Sequence, residues 1–280
     1  MKKLLLVCLL LCSVTAWAQK KEVKFQVRFT PNTAYATTVS TYSKSVLNFE
    51  GSPEQMAEIE KEITLPFVIE NRNEMVATTS TGALQEDKSI PATIVYGKAI
   101  STSKNNGKET VVENPVSGLV AKGRYSEESK FVIDTLISDK LTAELENTIR
   151  YMLENVQNQI VFPADPMKVG DTFEQRVPMS MPVTGSDPIH MVIITNYKLK
   201  NIKGNIAHFD INQTVTLDMV AQGTNIAASG TGTGSSEFDI KNSFITKYES
   251  DLKMSLTADV NNVKIITSVN TQSKQHVKIN

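Results

Sequence analysis

Most of this chain alternates apolar and polar residues, and one stretch has helical periodicity instead. Val23, Phe25, Val27 and Phe29 alternate with Lys24, Gln26 and Arg28, the pattern of a strand with one buried face. Ala34 to Phe49, rich in Thr, Tyr and Val, reads as a longer strand with a lightly buried Ser/Thr middle. Ser52-Pro53-Glu54-Gln55 starts a short helix near 53–62: serine caps, proline suits the first turn, and Gln55 completes a capping box. Ile63 to Glu70 and Glu74 to Thr81 read as two strands around a turn at Asn71-Arg72-Asn73. Ala92 to Thr102 is a further strand, turned back at Asn106-Gly107 toward Thr110 to Glu113. Val116 to Tyr125 and Lys130 to Ile137 complete an N-terminal set of strands over 22–137.

The helical stretch covers 139–161. Leu141, Leu145, Ile149, Met152, Leu153, Val156 and Ile160 fall within an arc of about 120°. Such a stripe must be buried for the helix to persist, and sheet is nearly all that remains to bury it. Pro163 ends the helix, and Lys168-Val169-Gly170-Asp171 turns into a second set of strands over 168–280. In that antiparallel meander Ile189 to Leu199 is apolar on its odd positions. Phe209, Ile211, Val215, Leu217 and Met219 share one face of the next strand. Phe244, Tyr248, Leu252, Met254 and Leu256 alternate with charged residues, and Asn261-Asn262 turns into a last strand reaching Thr271 or Ile279.

A helix of about 22 residues is roughly 33 Å long and a 15-residue strand roughly 50 Å. Strands that long must twist and curve to share a core with the helix. The expected fold is therefore mainly β: a long-stranded, curved, half-barrel-like antiparallel sheet packed on one long central helix, with one short helix besides.

Residues 1–18 fit a signal peptide: Lys2-Lys3, the apolar run Leu4–Leu11, and Ala16-Trp17-Ala18 before Gln19. Lipoprotein processing at Cys12 is disfavoured by the bulky Leu11 before it. Cleavage removes both cysteines and the one tryptophan, and leaves a domain at 19–280 with 27 Lys+Arg against 30 Asp+Glu, a net charge of −3. That balance, without a long run of one sign, implies neither nucleic acid nor an anionic membrane surface. No second apolar run reaches transmembrane length, so the expected product is exported, periplasmic or extracellular.

Candidate chemistry is sparse. His190, His208 and His276 lack ligand spacing for zinc, no Gly-x-Ser-x-Gly elbow occurs, and Glu86-Asp87 and Glu127-Glu128 sit in turns. Met179, Met181, His190 and Met191 could together suit Cu(I), although methionines at i and i+2 are also what a strand places in a core. The reading is non-enzymatic, with no catalytic residues, no metal and no cofactor. Gly230, Gly232 and Gly234 strip one strand face, either to let the structure approach closely or to leave a bare floor for a ligand. With Met152, Val156, Phe244 and Tyr248 they define a candidate groove for a lipid or other hydrophobic small molecule. The alternative is a structural module with a solid core whose outer face binds an envelope protein.

Pro163 to Phe173, with its Val169-Gly170-Asp171-Thr172-Phe173 turn, and Gly230 to Asp239 resemble recurrent features of an uncharacterised family of exported bacterial β-rich proteins. The resemblance implies fold and export only. The layout also resembles the half-barrels of periplasmic lipoprotein carriers, which transfers no residues.

Overall fold

The computed structural model describes residues 22–143, 146–147, 149–150, 160–181, 189–219, 226–260 and 262–280. Among the described residues thirteen antiparallel strands form one open sheet, eleven of them in the order β7-β6-β3-β2-β1-β13-β12-β11-β10-β9-β8 and two off this path. The N-terminal strands are β1 (Ala34–Glu50), β2 (Phe67–Thr81), β3 (Ile90–Tyr96), β6 (Val120–Tyr125) and β7 (Phe131–Ile137). A side hairpin, β4 (Ile100–Asn105) and β5 (Lys108–Glu113), pairs with β2. The C-terminal strands are β8 (Thr172–Met181), β9 (Ile189–Lys203), β10 (Ile206–Met219), β11 (Ile226–Asp239), β12 (Phe244–Val260) and β13 (Val263–Ile279). First and last strands fuse the two sets at the centre of the sheet, pairing from Tyr35↔Ile279 to Glu50↔Lys264.

The sheet is strongly curved. Four strands separate β6 from β12 in the sheet order, which in a flat sheet places them roughly 24 Å apart. Yet Tyr125 of β6 stacks on Phe29 at 3.7 Å and Phe244 of β12 meets the same ring at 5.1 Å. The two rings therefore lie within about 8.8 Å of one another, possible only if the sheet bends around Phe29.

Phe29 belongs to an extended arm, residues 22–33, that corrects the first sequence expectation. Val23, Phe25, Val27 and Phe29 do bury one face, but the segment is not a strand of the sheet. Its one bridge is Val23↔Met167. The arm lies inside the curve, held by Arg28 N donating to Ser243 O (2.9 Å), Ser129 Oγ to Val27 O (3.1 Å) and Thr30 N to the Tyr35 hydroxyl (2.7 Å). Its apolar residues enter three core clusters in succession. Val23 and Phe25 pack with Met167, Phe209 and Phe238, Val27 reaches Tyr35 and Phe244 as well, and Phe29 joins the cluster of Tyr96, Tyr125 and Phe131.

Other local expectations are met or revised for identifiable reasons. The short helix α1 (Pro53–Glu62) has the expected Ser52/Gln55 capping box but buries no residue, so it is a surface piece. Asn106 and Gly107 both have positive φ (44° and 88°), as a two-residue hairpin turn requires. No turn occurs at 71–73: β2 runs straight through, its first half pairing β4 and its second half β3. The strand expected over 92–102 is split at Gly97–Ala99 for the same reason, with Gly97 N donating to Val76 O (2.8 Å) where the chain passes from one half of β2 to the other.

A long central helix over 139–161 is not supported. Much of that range lies outside the described residues, and the one complete helix among them is α1. Helical backbone is described at Ala143, Glu146, Asn147, Ile149 and Arg150, whereas Ile160 and Val161 are not helical. Two residues of the apolar stripe are nevertheless buried, Ile149 against the β3-β6-β7 side and Ile160 among the C-terminal aromatics. No described helix is long and apolar enough to cross a membrane.

If the arm is core, Phe25→Ala should destabilise the protein by about 3–5 kcal/mol. Val161→Ala, at a side chain 62% exposed, should cost less than about 0.5 kcal/mol. Urea unfolding of both variants measures this, and equal small effects would show that the arm is dispensable.

Candidate ligand-binding trough

Strand register arranges the inner face of the sheet in transverse rows. One row runs Met75, Val39, Gln275, Tyr248, Ser236, Phe209, Leu199 across seven strands. A second row, displaced by four residues along most of these strands, runs Ser43, Thr271, Leu252, Gly232, Gln213, Thr195, Gln175. Between them Tyr197 stacks on Phe173 (4.7 Å, 12°). Beyond the second row Val215, Ile193 and Met254 return the face to apolar. The interior is thus an aromatic zone and an aliphatic zone separated by a polar row.

Two cavities open within it. The larger, of about 410 Å³, lies between the arm and the N-terminal half of the sheet, walled by Phe25, Phe29, Tyr96, Tyr125, Phe162 and Phe244 among others. The smaller, of about 240 Å³, is lined by Ile193, Tyr197, Ile245 and Tyr248 together with Gln175, Thr195 and Gln213 of the polar row. Ile160 and Gln275 line both.

The sequence-derived groove residues are distributed unevenly over this geometry. Met152 and Val156 lie outside the described residues. Phe244 lines the larger cavity and Tyr248 the smaller. Gly230, Gly232 and Gly234 face inward on β11, but the space beside them is taken. A Cβ at Gly234 would stand 2.2 Å from Glu249 O, and one at Gly230 would meet Lys253 O at 2.8 Å and Met254 Cγ at 2.9 Å. At Gly232 it would meet Asp251 O and Gln213 Oε1, each at 2.9 Å. These glycines let β12 and its side chains close in, and Gly232 makes room for Gln213.

The methionine–histidine set does not assemble. Met179 stands opposite Met191 across β8 and β9 and both pack into the aliphatic cluster, whereas His190 opposes Ser180 and is exposed. The described residues contain no group of three His, Cys, Asp or Glu placed to hold a metal.

Sequence reasoning missed the arm as a wall, Tyr96, Tyr125 and Tyr197, and the polar row. The last did leave a trace. Thr195 and Gln213 occupy odd, inward positions in otherwise apolar series, Ile193-x-Thr195-x-Tyr197 and Ile211-x-Gln213-x-Val215. Thr195 is only 4% exposed. Gln213 Nε2 lies 3.5 Å from Thr195 Oγ1, at the limit of a hydrogen bond, and Gln213 Oε1 is buried with no partner among the described residues.

The phenols report how dry the trough is. Burial pushes Tyr96 up to about 12 and also raises Tyr125, Tyr197 and Tyr248 above the ordinary 10.0. The folded state keeps these phenols protonated at pH values where unfolded tyrosine ionises. Their contribution to stability is therefore complete below pH 10 and lost as pH rises through about 12. Absorbance at 295 nm should show these four tyrosines ionising above pH 10, in a wave coincident with unfolding. A single wave near pH 10 would show the trough to be wet.

Residues 125–245 match the model of a family of unknown function, DUF6263, a span from the end of β6 to the start of β12 that includes Gln175, Thr195 and Gln213 of the polar row and the three glycines. No curated protein matches the chain. Among solved structures, OccK7 (OpdD) and OccK5 (OpdH) of Pseudomonas aeruginosa align with 88% of this chain and with 99% and 98% of theirs, at 7% identity and a TM-score of 0.24 each. Such scores do not define a common fold. Neither the Val-Gly-Asp turn as a family mark nor the likeness to lipoprotein carriers draws support from these matches.

Proposed function

We propose that this chain is an exported, non-catalytic binding protein that holds a hydrophobic small molecule in the trough between arm and sheet. The observation that carries the reading is the cavity of about 410 Å³ with its aromatic walls. It falls within the size range of small-molecule sites, and its lining combines a large apolar area with a few polar groups, as such sites do. A purely structural module would gain by filling this volume, because empty apolar space forfeits packing energy. Export is supported by Lys2-Lys3, the Leu4–Leu11 run and Ala16-Trp17-Ala18. Binding is favoured over catalysis because described ion pairs such as Lys88–Glu127, Arg124–Asp134 and Lys200–Asp210 lie at the surface, away from both cavities.

Two measurements test the reading. The intact mass of the product recovered from outside the cytoplasm should correspond to a chain beginning at Gln19, and a mass retaining residues 1–18 would refute export by this route. The delipidated protein should bind N-phenyl-1-naphthylamine with enhanced fluorescence. Ala77→Phe, which adds a ring at the wall of the larger cavity, should weaken that binding at least about tenfold while retaining the far-UV spectrum. Absence of probe binding, or binding indifferent to Ala77→Phe, would refute the site.

A further inference from the structure

The lining of the trough also restricts the ligand's head group, an inference that rests on the binding reading above. Neither cavity has a Lys, Arg or His among its described lining residues, and Glu128 is the one carboxylate. The segments 151–159, 182–188 and 220–225 contain no Lys, Arg or His either. An anionic head would enter without a counter-charge, and a buried unpaired charge is among the most costly groups a protein can hold. What the smaller cavity offers instead is a neutral polar row. Thr195 is almost fully buried, and Gln213 Oε1 is an acceptor without a partner among the described residues. Both line the cavity, and Gln175 beside them already uses its Oε1 to accept from Val161 N at 3.3 Å. Gln213 Oε1 packs over Gly232, 2.9 Å from where a Cβ would stand, and has almost no open surface in that position.

We propose that the trough selects an uncharged amphiphile bearing a hydroxyl, of the long-chain alcohol or acylglycerol class. Its apolar chain lies toward the aromatic cavity and its hydroxyl donates to Gln213 Oε1 once the amide turns from over Gly232 into the cavity, with Thr195 Oγ1 alongside. An oxygen that only accepts, as in an ether, finds no matching donor at Gln213 Oε1, and a carboxylate is repelled there.

Displacement of N-phenyl-1-naphthylamine from the delipidated full-length mature chain tests this with three probes of equal chain length at pH 8. The expected order is dodecan-1-ol first, dodecyl methyl ether at about fivefold higher concentration, and dodecanoate higher still. In Gln213→Leu the alcohol should lose its advantage over the ether, each read as displacement of the probe already bound to that variant. Thr195→Val, a near-isosteric change, should narrow the same gap and serves as the second variant if Gln213→Leu fails to fold. Equal displacement by alcohol and ether, or an advantage unchanged in both variants, would overturn the head-group assignment and leave the binding site standing. Displacement by dodecanoate as strong as by the alcohol would overturn the exclusion of anions. Failure of the fluorescent probe to bind at all would overturn the binding reading and this inference with it.

Discussion

The structure depends on what fills the concave side of its sheet, and at the centre of that side is an extended arm rather than an element of regular structure. Phe25 touches Phe162, Phe209 and Phe238 at ring separations of 5.1–5.3 Å, and Phe29 touches Tyr35, Tyr125 and Phe244 at 3.7–5.1 Å. Aromatic rings carry the largest apolar area per residue, so two rings placed four residues apart tie the C-terminal cluster to the N-terminal one. Curvature and arm require each other. Without the arm the trough would expose its aromatic walls, and without curvature the arm would have only one side to bury.

Curvature has a second source in β11. Gly234, Gly232 and Gly230 remove the inward Cβ at three successive pleats, allowing the backbone of β12 to come within contact distance. The same absence of side chains leaves lateral room, which Met254, Val215, Leu252 and Gln213 occupy. A bare strand therefore does not amount to a vacant floor. Its effect is to set which neighbouring side chain stands over each pleat, and at Gly232 that neighbour is a buried amide.

The alternating pattern made strands β9, β10 and β12 legible, because period-two apolarity states both the conformation and the face. It could not distinguish a strand paired in the sheet from an extended segment lying on it, since both bury every second residue. The Val23–Phe29 arm was misplaced for that reason. The division of β2 between two sets of partners was equally invisible: Asn71-Arg72-Asn73 has turn-like composition, but pairing with β4 on one side and β1 on the other holds it extended. Helical periodicity located the buried positions Ile149 and Ile160, but carried the helix onto Ile160 and Val161, which are not helical. Of the candidate site, Phe244 and Tyr248 were legible as the inward face of an amphipathic strand. Gln213 was legible only as a gap in a series, and its significance depends on Thr195 and Gly232, which lie beside it through register alone.

Pairing of β1 with β13 has a consequence for how the chain reaches this state. Contacts such as Tyr35↔Ile279 join residues near opposite ends of the sequence, so closing the centre of the sheet carries the loop entropy of nearly the whole polypeptide. Such a topology has high contact order and folds slowly. Until the last strand is available, β1 and β12 each present an unpaired edge about 17 residues long, of the kind that recruits other chains. The arrangement that gives the finished trough a continuous wall makes the incomplete chain dependent on being kept apart from its own copies.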